Sequence, residues 1–474
     1  MVQGARIKRN SLFAFLSRLI RLLTNFVMFV GIARFYGIES FGQFTTAHTL
    51  STIFLLLADF GFDSLLPTEI AAQRDRAGEL ARRYFSMKII FAVGACLLML
   101  VLPLFQVMSA ETRVLVQIFS VYVLFAALNN FFFALFKAFE EFHHETIISF
   151  YTNVVLLLLL VVLGFLHAPV YFLAVCFVGT RVIGIAMGLK TASRLTQGRV
   201  INMNFQGWRE IWKHVVVFGL HFIFGALFFQ VDTILLAFWR GDRDVGIYQS
   251  AFKISTMALI IPDIAINTML PVLARLRNDG GNRWDYFGRL LNKTLFLLSL
   301  PISMMLFVYA EQIIEILYGG GEYGEAAPIL RLFAITVFIR YGFETYGLML
   351  TTSYRQKHRL TIVVCGTILN CLMNAFVIPM YGPFGAAIVS LVTNFTVGAA
   401  FVLASGRSFV EWTCNVRNLS SLVIIVLLGV AAWSIRMIPL WYIMPVVLIL
   451  SAVTLYYVGY TREEWRLVFA RKML

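Results

Sequence analysis

Long runs of apolar residues recur along nearly the whole chain, separated by short polar segments or by glycine and proline. A helix needs about 20 residues to cross about 30 Å of hydrocarbon, and the runs have this length. The pattern therefore predicts fourteen membrane-spanning helices, at residues 11–34, 42–70, 84–107, 113–136, 146–166, 170–192, 212–239, 246–274, 290–310, 326–353, 360–380, 383–405, 418–437 and 440–460.

The composition agrees with this pattern. Of the 474 residues, 60% are hydrophobic and 14% are charged, against about 45–50% and about 25% in a soluble domain. A soluble core stops growing at roughly 250–300 residues, so these apolar side chains could not share one interior in water. The chain is predicted to be an all-α integral membrane protein, which excludes soluble enzymes, disulfide-stapled secreted modules and nucleic-acid-binding domains.

Basic residues are concentrated at alternate ends of the predicted helices. They cluster before the first helix and around residues 74–88, 190–213 and 275–293, whereas the opposite ends carry acids such as Glu111 and Glu322. Because cytoplasmic loops hold the excess of Lys and Arg, both termini are predicted to be cytoplasmic. The net charge of +14 is then explained by topology and by attraction to an anionic leaflet, without nucleic acid as a partner.

An internal repeat relates the two halves of the chain. A shift of 204 residues aligns residues 33–67 with residues 237–271 without a gap, and ten of the 35 positions are identical. Apolar helices share small residues by chance, but an aligned acid and proline inside a span favour a true repeat. The identical pairs are Ala33/Ala237, Gly37/Gly241, Gly42/Gly246, Ala47/Ala251, Ser51/Ser255, Thr52/Thr256, Leu55/Leu259, Asp59/Asp263, Leu66/Leu270 and Pro67/Pro271.

The repeat also predicts the domain organisation. Six predicted helices separate the copies, and because this number is even, both halves have the same orientation in the membrane. Parallel repeats of this kind occur in alternating-access transporters, which hold their substrate between the repeats. We expect an N-terminal six-helix lobe at 1–193, a cytoplasmic linker at 194–211, a C-terminal six-helix lobe at 212–405, and two further helices with a cytoplasmic tail at 406–474.

Two arginines in the first predicted helix are the main candidate site. Arg18, Arg21 and Asn25 have the spacing i, i+3, i+7, which places them on one helix face. An ionised side chain at mid-bilayer costs roughly 3 kcal/mol on insertion scales, so such residues face a cavity or a partner. The first helix holds no acid, which favours an anion-binding face. The alternative, which can coexist with it, is neutralisation by Asp59 or Asp63 on the second helix.

Three more arginines lie inside predicted spans. Arg181 and Arg331 have no partner at helical spacing, whereas Arg340 can pair with Glu344 at i, i+4. The planar guanidinium binds phosphate bidentately and stays charged. Arg181, Arg331 and Arg340 are therefore further candidates for lining a substrate cavity.

Acidic residues form a third group. Asp59 and Asp263 occupy equivalent positions in the repeat. They could titrate with protons or Na⁺ during an exchange cycle or form structural pairs, and the sequence leaves both interpretations open. Asp232 and Lys253 are expected at matching depth on neighbouring helices, where a buried salt bridge is the favoured interpretation over ion coupling.

Other chemistry is not indicated. The five cysteines show no CxxC spacing, so no disulfide framework and no metal site are predicted. The turn that contains Glu141, His143 and His144 is interpreted as solvated rather than as a metal site. No Walker A motif is present, so ATP is not expected to drive the protein directly. We expect no cofactor and no catalytic residue, because a membrane enzyme acting on glycans would need a sizeable outer loop and the predicted outer loops are short.

Five segments spread over nearly the whole chain form a specific combination in their order and spacing. They are ARFYGIESFGQF at 33–44, ADFG at 58–61, QVDTIL at 230–235, GIYQSA at 246–251 and LNCLMNAFVIPMYGPFGAA at 369–387. In this combination the chain resembles the polysaccharide transporter family (oligosaccharide flippases, Wzx-like) of the multidrug/oligosaccharidyl-lipid/polysaccharide exporter superfamily.

The resemblance implies two six-helix bundles in the bacterial inner membrane. It implies an activity that moves polyprenyl-diphosphate-linked glycans, such as lipopolysaccharide O-antigen or exopolysaccharide repeat units, to the outer leaflet by alternating access. Related flippases for lipid-linked peptidoglycan precursors keep arginines in their first helix facing a cationic cavity, similar in kind to Arg18 and Arg21. Such a precursor flippase and a cation or drug antiporter of the same superfamily are the alternatives. The expected partners are the lipid-linked oligosaccharide and the membrane, with other glycan-assembly proteins as candidates, and we expect a monomer.

Overall fold

The computed structural model of the chain describes residues 2–104, 108–196, 203–204, 219, 225, 227–278, 283–405, 416–434, 438–454 and 456–457. Over these residues the regular secondary structure is helical, with short 3-10 turns and no strand. The helices are α1 (Val2–Asp59), α2 (Phe62–Ala72), α3 (Ala77–Val101), α4 (Ala110–Ala138), α5 (Phe142–Phe165), α6 (Val170–Leu195), α7 (Leu227–Trp239), α8 (Asp242–Ala258), α9 (Ile260–Asn278), α10 (Arg283–Val308), α11 (Ala310–Tyr318), α12 (Ala326–Thr352), α13 (Gln356–Ser405), α14 (Val416–Ser434) and α15 (Leu440–Thr454).

The predicted all-helical membrane architecture is confirmed. Within the described residues, eight helical segments are long and apolar enough to cross a membrane, or nine when the bent pair α8 and α9 counts as one span. The helix α7 and residues 441–454 of α15 are apolar but shorter. The count of fourteen spans and the cytoplasmic position of the termini stay predictions.

Two helices are too long for a single crossing. α1 has 58 residues and α13 has 50, and at 1.5 Å per residue 50 residues extend about 75 Å. Each helix bends at a glycine with positive φ, 80° at Gly37 and 56° at Gly382. Only glycine adopts such a φ at no steric cost. Each long helix therefore contains two of the predicted spans, joined by a one-residue bend instead of a loop.

Two predicted spans are interrupted, which their hydropathy did not indicate. The span expected at 42–70 breaks at Phe60 and Gly61, whose φ values are 44° and 94°, before α2 begins. The span expected at 246–274 breaks between α8 and α9, with a bend of 40°. Pro262 lies in the first turn of α9 and cannot donate a hydrogen bond to the carbonyl of Ala258, which explains the second break.

The glycines of the repeat have the same roles in both copies. Gly37 and Gly241 both have positive φ, 80° and 87°. Gly42 and Gly246 lie where the two copies of the repeat contact each other. A Cβ on Gly42 would overlap the backbone carbonyl oxygen of Asp242, and a Cβ on Gly246 would overlap the backbone carbonyl oxygen of Ile38. Small residues allow helix backbones to approach this closely. The repeat therefore specifies a turn and, five residues later, a backbone contact.

The chain packs as two compact units, residues 1–249 and 250–474. In the first unit α4 contacts α1, α3 and α6, and an aromatic core that includes Phe62, Tyr84 and Phe131 fills the space among α2, α3 and α4. In the second unit α12 packs against both α10 and α13. The predicted linker at 194–211 lies mostly outside the described residues, so the predicted domain boundaries stay predictions.

Replacing Gly42 by alanine should destabilise the protein, because the new Cβ meets backbone that cannot rotate away. Overpacking of this kind typically costs about 1–3 kcal/mol, and Gly246→Ala should have a similar effect. The measurement is the thermal unfolding temperature of the purified protein in detergent. Gly94→Ala is the matched control, because a Cβ there meets nothing within 4 Å. An unfolding temperature of Gly42→Ala equal to that of the wild type would contradict the close approach.

Candidate functional site

An ion cluster joins α1 to α5. Nη1 of Arg21 donates a hydrogen bond to Oε1 of Glu145 at 2.7 Å, and Nζ of Lys137 lies 3.4 Å from the other carboxylate oxygen. The side chain of Glu145 is 3% exposed, whereas that of Arg21 is 36% exposed. Two cations around one carboxylate leave a net positive charge when all three are ionised. The cluster therefore holds Arg21 in place and still presents a partly accessible guanidinium.

Sequence reasoning missed Glu145 as the partner of Arg21. The partners considered, Asp59 and Asp63, contact a different cation, Lys88. A signal was present, because Glu145, Ser149 and Thr152 recur at helical spacing, and all three are buried. Such a buried polar stripe on α5 indicates that this face packs against another polar helix face.

The other members of the predicted α1 face are less defined. The side chain of Arg18 lies outside the described residues. Asn25 is exposed, and Thr24 beside it is buried. The face that carries Arg21 and Asn25 is therefore accessible in this structure.

A second ion cluster lies at the break between α1 and α2. Nζ of Lys88 is 2.5 Å from Oδ1 of Asp59 and 2.8 Å from Oδ1 of Asp63, and the Lys88 side chain is fully buried. The backbone N–H of Asp63 also donates to Oδ1 of Asp59 at 3.0 Å. Lys88, on α3, was counted from the sequence among the cytoplasmic basic residues. The triad ties α3 to the interrupted helix and gives Asp59 a structural partner.

The acidic residues around the second copy of the repeat have other partners. Asp232 is 2% exposed and accepts a hydrogen bond from the Tyr248 hydroxyl at 2.7 Å. The salt bridge predicted between Asp232 and Lys253 stays a prediction, because these residues belong to different compact units. Asp263 is exposed and interacts electrostatically with Arg340.

The remaining arginines differ in their surroundings. Arg331 has a partner outside its own helix: its Nη2 lies 2.8 Å from Oε1 of Glu311, and its guanidinium lies 5.2 Å from the Trp433 ring centroid. Helical spacing cannot show these contacts, because Glu311 is 20 residues away and Trp433 is on α14. The expected pair of Arg340 with Glu344 is present at 3.8 Å.

Arg181 has no acidic partner among the described residues. Its guanidinium lies 5.4 Å from the ring centroid of Tyr122, and its buried Nε makes no hydrogen bond within that part of the chain. A guanidinium over an aromatic ring is stabilised by about 0.5–2 kcal/mol. This contact offsets part of the burial cost, and no carboxylate among the described residues neutralises the charge.

The turn expected to be solvated is half-buried. Glu141, His143 and His144 offer ligand atoms within 4.8 Å of one another, and Nδ1 of His143 lies 3.1 Å from Oε2 of Glu141. Phe13 and Phe136 pack against the two imidazoles, which explains their partial burial. The three ligand atoms thus lie close enough together to hold a cation.

Comparison with known proteins identifies relatives of this fold. The family model described as polysaccharide biosynthesis protein matches residues 7–277. The chain is 27% identical over 177 residues to the probable flippase AglR of Haloferax volcanii, covering 36% of each chain. It is 20% identical over 211 residues to the probable low-salt glycan biosynthesis flippase Agl15 of the same organism, covering 44% of each chain. The matches thus span less than half of the length of these two relatives.

Solved structures share the architecture at low sequence identity. The structure described as lipid II flippase MurJ in an inward closed conformation superposes with a TM-score of 0.67 at 14% identity, covering 92% of this chain and 99% of that chain. An inward-facing MATE family multidrug resistance transporter of the MOP superfamily superposes with a TM-score of 0.64 at 14% identity, covering 83% and 96%.

At these identities the structural likeness shows the fold alone, a bundle of membrane-spanning helices. The family model, in contrast, covers more than half of the sequence. The chain belongs to the polysaccharide biosynthesis protein family, the Wzx-like polysaccharide transporters of the MOP superfamily.

Proposed function

We propose that the protein is a flippase that moves a polyprenyl-diphosphate-linked oligosaccharide from the cytoplasmic to the outer leaflet by alternating access. The family and the shared fold support transport of a lipid-linked glycan. The observation that carries the proposal is the partly exposed Arg21 in an ion cluster of net positive charge on α1.

The physical problem of this reaction is the headgroup. Sugars and a diphosphate lose their hydration in hydrocarbon, and a charged group without a replacement partner cannot enter it. Arginine replaces water around a diphosphate with charge-assisted, bidentate hydrogen bonds. Arg21 is held by Glu145 and therefore presents its remaining N–H groups without first losing side-chain freedom, and Arg18 is placed on the same face by its spacing.

The other candidate residues fit this proposal in different ways. Arg181 has no acidic partner among the described residues, so it is proposed to line the substrate path. Arg331 and Arg340 are paired with acids and are proposed as secondary contacts. Asp59 is proposed as structural because Lys88 already neutralises it, whereas Asp263, exposed on α9, is the better candidate for ion coupling. Energy would come from an ion gradient, the membrane potential or consumption of the product.

The finer topology belongs to the same proposal. The two bends at Gly37 and Gly382 divide α1 and α13 into two spans each. With α8 and α9 counted as one broken span, the helices accommodate fourteen crossings with both termini in the cytoplasm. The proposed location is the bacterial inner membrane, which rests on the resemblance, because both named relatives come from an archaeon.

A flippase for lipid-linked peptidoglycan precursors is the second candidate. The likeness to the fold of the lipid II flippase over 92% of this chain favours it. Both candidates require a cationic contact for the diphosphate, so the carried glycan distinguishes them.

Replacing Arg21 by alanine should reduce surface glycan at least about tenfold in a complementation assay, which corresponds to about 1.4 kcal/mol. The physical reason is the loss of charge-assisted hydrogen bonds to the diphosphate. The amount of protein in the membrane should stay at the wild-type level. Arg21→Lys should retain part of the activity, because lysine keeps the positive charge but cannot make the bidentate hydrogen bonds of a planar guanidinium.

The matched control for this experiment is Arg240→Ala. Arg240 is 42% exposed and pairs with Asp244 at i, i+4, away from the α1 cluster. Its removal should leave surface glycan unchanged. Normal glycan in cells that carry only Arg21→Ala would contradict the assignment of Arg21.

Replacing Lys88 by methionine should destabilise the protein strongly, because two half-buried carboxylates lose the buried cation that they share. Breaking one side of a buried ion pair costs about 3–5 kcal/mol. The unfolding temperature should fall clearly, and adding Asp59→Asn and Asp63→Asn to the variant should restore most of the loss. Lys357→Met, at an exposed site, is the control.

The triple variant also separates the two roles of the triad. A stable triple variant that still supports surface glycan agrees with a structural triad. A stable triple variant without activity would show that the carboxylates take part in coupling. An unfolding temperature of Lys88→Met equal to that of the wild type would contradict the triad itself.

A further inference from the structure

A second kind of site lies at one end of the first compact unit. A pocket of about 560 Å³ is formed by the bend of α1, the start of α4 and the connection between α5 and α6. This volume falls within the range of about 300–1,000 Å³ that small-molecule sites occupy. The end that contains Gly37 and Pro169 is opposite to the basic loops, so the topology predicted from the sequence places the pocket on the outer side.

Aromatic rings form much of the pocket wall. Phe35 and Tyr171 line the pocket and are 39% and 41% exposed. Phe35 is fixed against the backbone of Gly164, where a Cβ would overlap its ring, and it makes an edge-to-face contact with Phe165 at 5.7 Å. Aromatic rings that are held in place and exposed to solvent at the end of a helix bundle can stack on the C–H groups of a sugar ring.

A polar side chain in the pocket wall lacks a partner. Gln43 lines the pocket, is only 6% exposed and makes no side-chain hydrogen bond within the described residues. The Gln43 amide is therefore available to an occupant that exchanges hydrogen bonds with it.

The charge of the pocket favours a sugar over a phosphate as its ligand. Ser40, Glu111 and His167 add hydrogen-bonding groups, and no lysine or arginine is among the described lining residues. The Glu111 carboxylate would repel a phosphate, whereas it accepts hydrogen bonds from sugar hydroxyls. An amide such as Gln43 can donate to one hydroxyl and accept from another.

We propose that this pocket binds a sugar ring of the substrate glycan, separately from the arginines that bind the diphosphate. The identity of the ligand as the transported glycan rests on the proposed function, whereas the chemistry of the pocket stands on its own residues. Occupancy on the outer side would hold the headgroup after translocation.

The experiment is saturation-transfer NMR on the full chain in lipid nanodiscs. The probes are glucose, galactose, mannose and N-acetylglucosamine at millimolar concentration. At least one of them should receive saturation from the protein. Tyr171→Ala and Gln43→Met should each lower this signal at least threefold. Tyr151→Ala is the matched control, because Tyr151 is an exposed tyrosine on α5 that does not line the pocket.

Two results would overturn the proposal: no saturation transfer to any of the four sugars, or a signal that both pocket variants leave unchanged. Tyr171 is exposed, so its truncation should preserve folding, and the unfolding temperature of each variant checks this. Surface-glycan complementation distinguishes the two proposals. If the wild-type protein restores surface glycan but binds none of the sugars, the pocket proposal alone is refuted. If a sugar binds, the pocket variants lose this binding and the wild-type protein does not restore surface glycan, the proposed function alone is refuted.

Discussion

Ionised side chains among apolar helices must have partners, and this requirement organises the first compact unit. The buried Lys88 pairs with two carboxylates at the point where α1 ends, so its charge is neutralised within the protein. Arg21 is matched by one carboxylate that it shares with Lys137. The Lys88 cluster therefore has no cation left for a substrate. The Arg21 cluster retains a net positive charge and an accessible guanidinium. Which charges remain available to a substrate is therefore decided by which helices pack together.

The sequence predicts the parts of this structure that depend on local pattern. Apolar runs locate the helices, the repeat identifies equivalent glycines, and the spacing of Arg340 and Glu344 predicts a pair within one helix. It does not predict partners on other helices, because spacing says nothing about which helix faces meet. Glu145 and Lys88 were therefore missed as partners, and so was Glu311 as the partner of Arg331.

The breaks in two spans escaped prediction for a different reason. Phe60 and Gly61 adopt positive φ inside a segment whose overall hydropathy predicts one continuous span, and hydropathy does not report backbone conformation. The repeat contains a partial signal, since both breaks lie within one helical turn of the aligned acids Asp59 and Asp263. In the first copy the ion pairs of Lys88 with Asp59 and Asp63 hold the interrupted helix against α3. Broken helices that carry charged residues are a recurrent feature of transporter repeats.

The most direct measurement is transbilayer movement in vesicles that contain only the purified protein. A polyprenyl-diphosphate-linked oligosaccharide with a fluorescent label on its glycan is placed in both leaflets, and an impermeant reductant is added outside. Protein-free vesicles should lose only the fluorescence of their outer leaflet. Vesicles that contain the protein should lose nearly all of it, because labelled headgroups from the inner leaflet reach the outside. Quenching equal to that of protein-free vesicles would contradict the account.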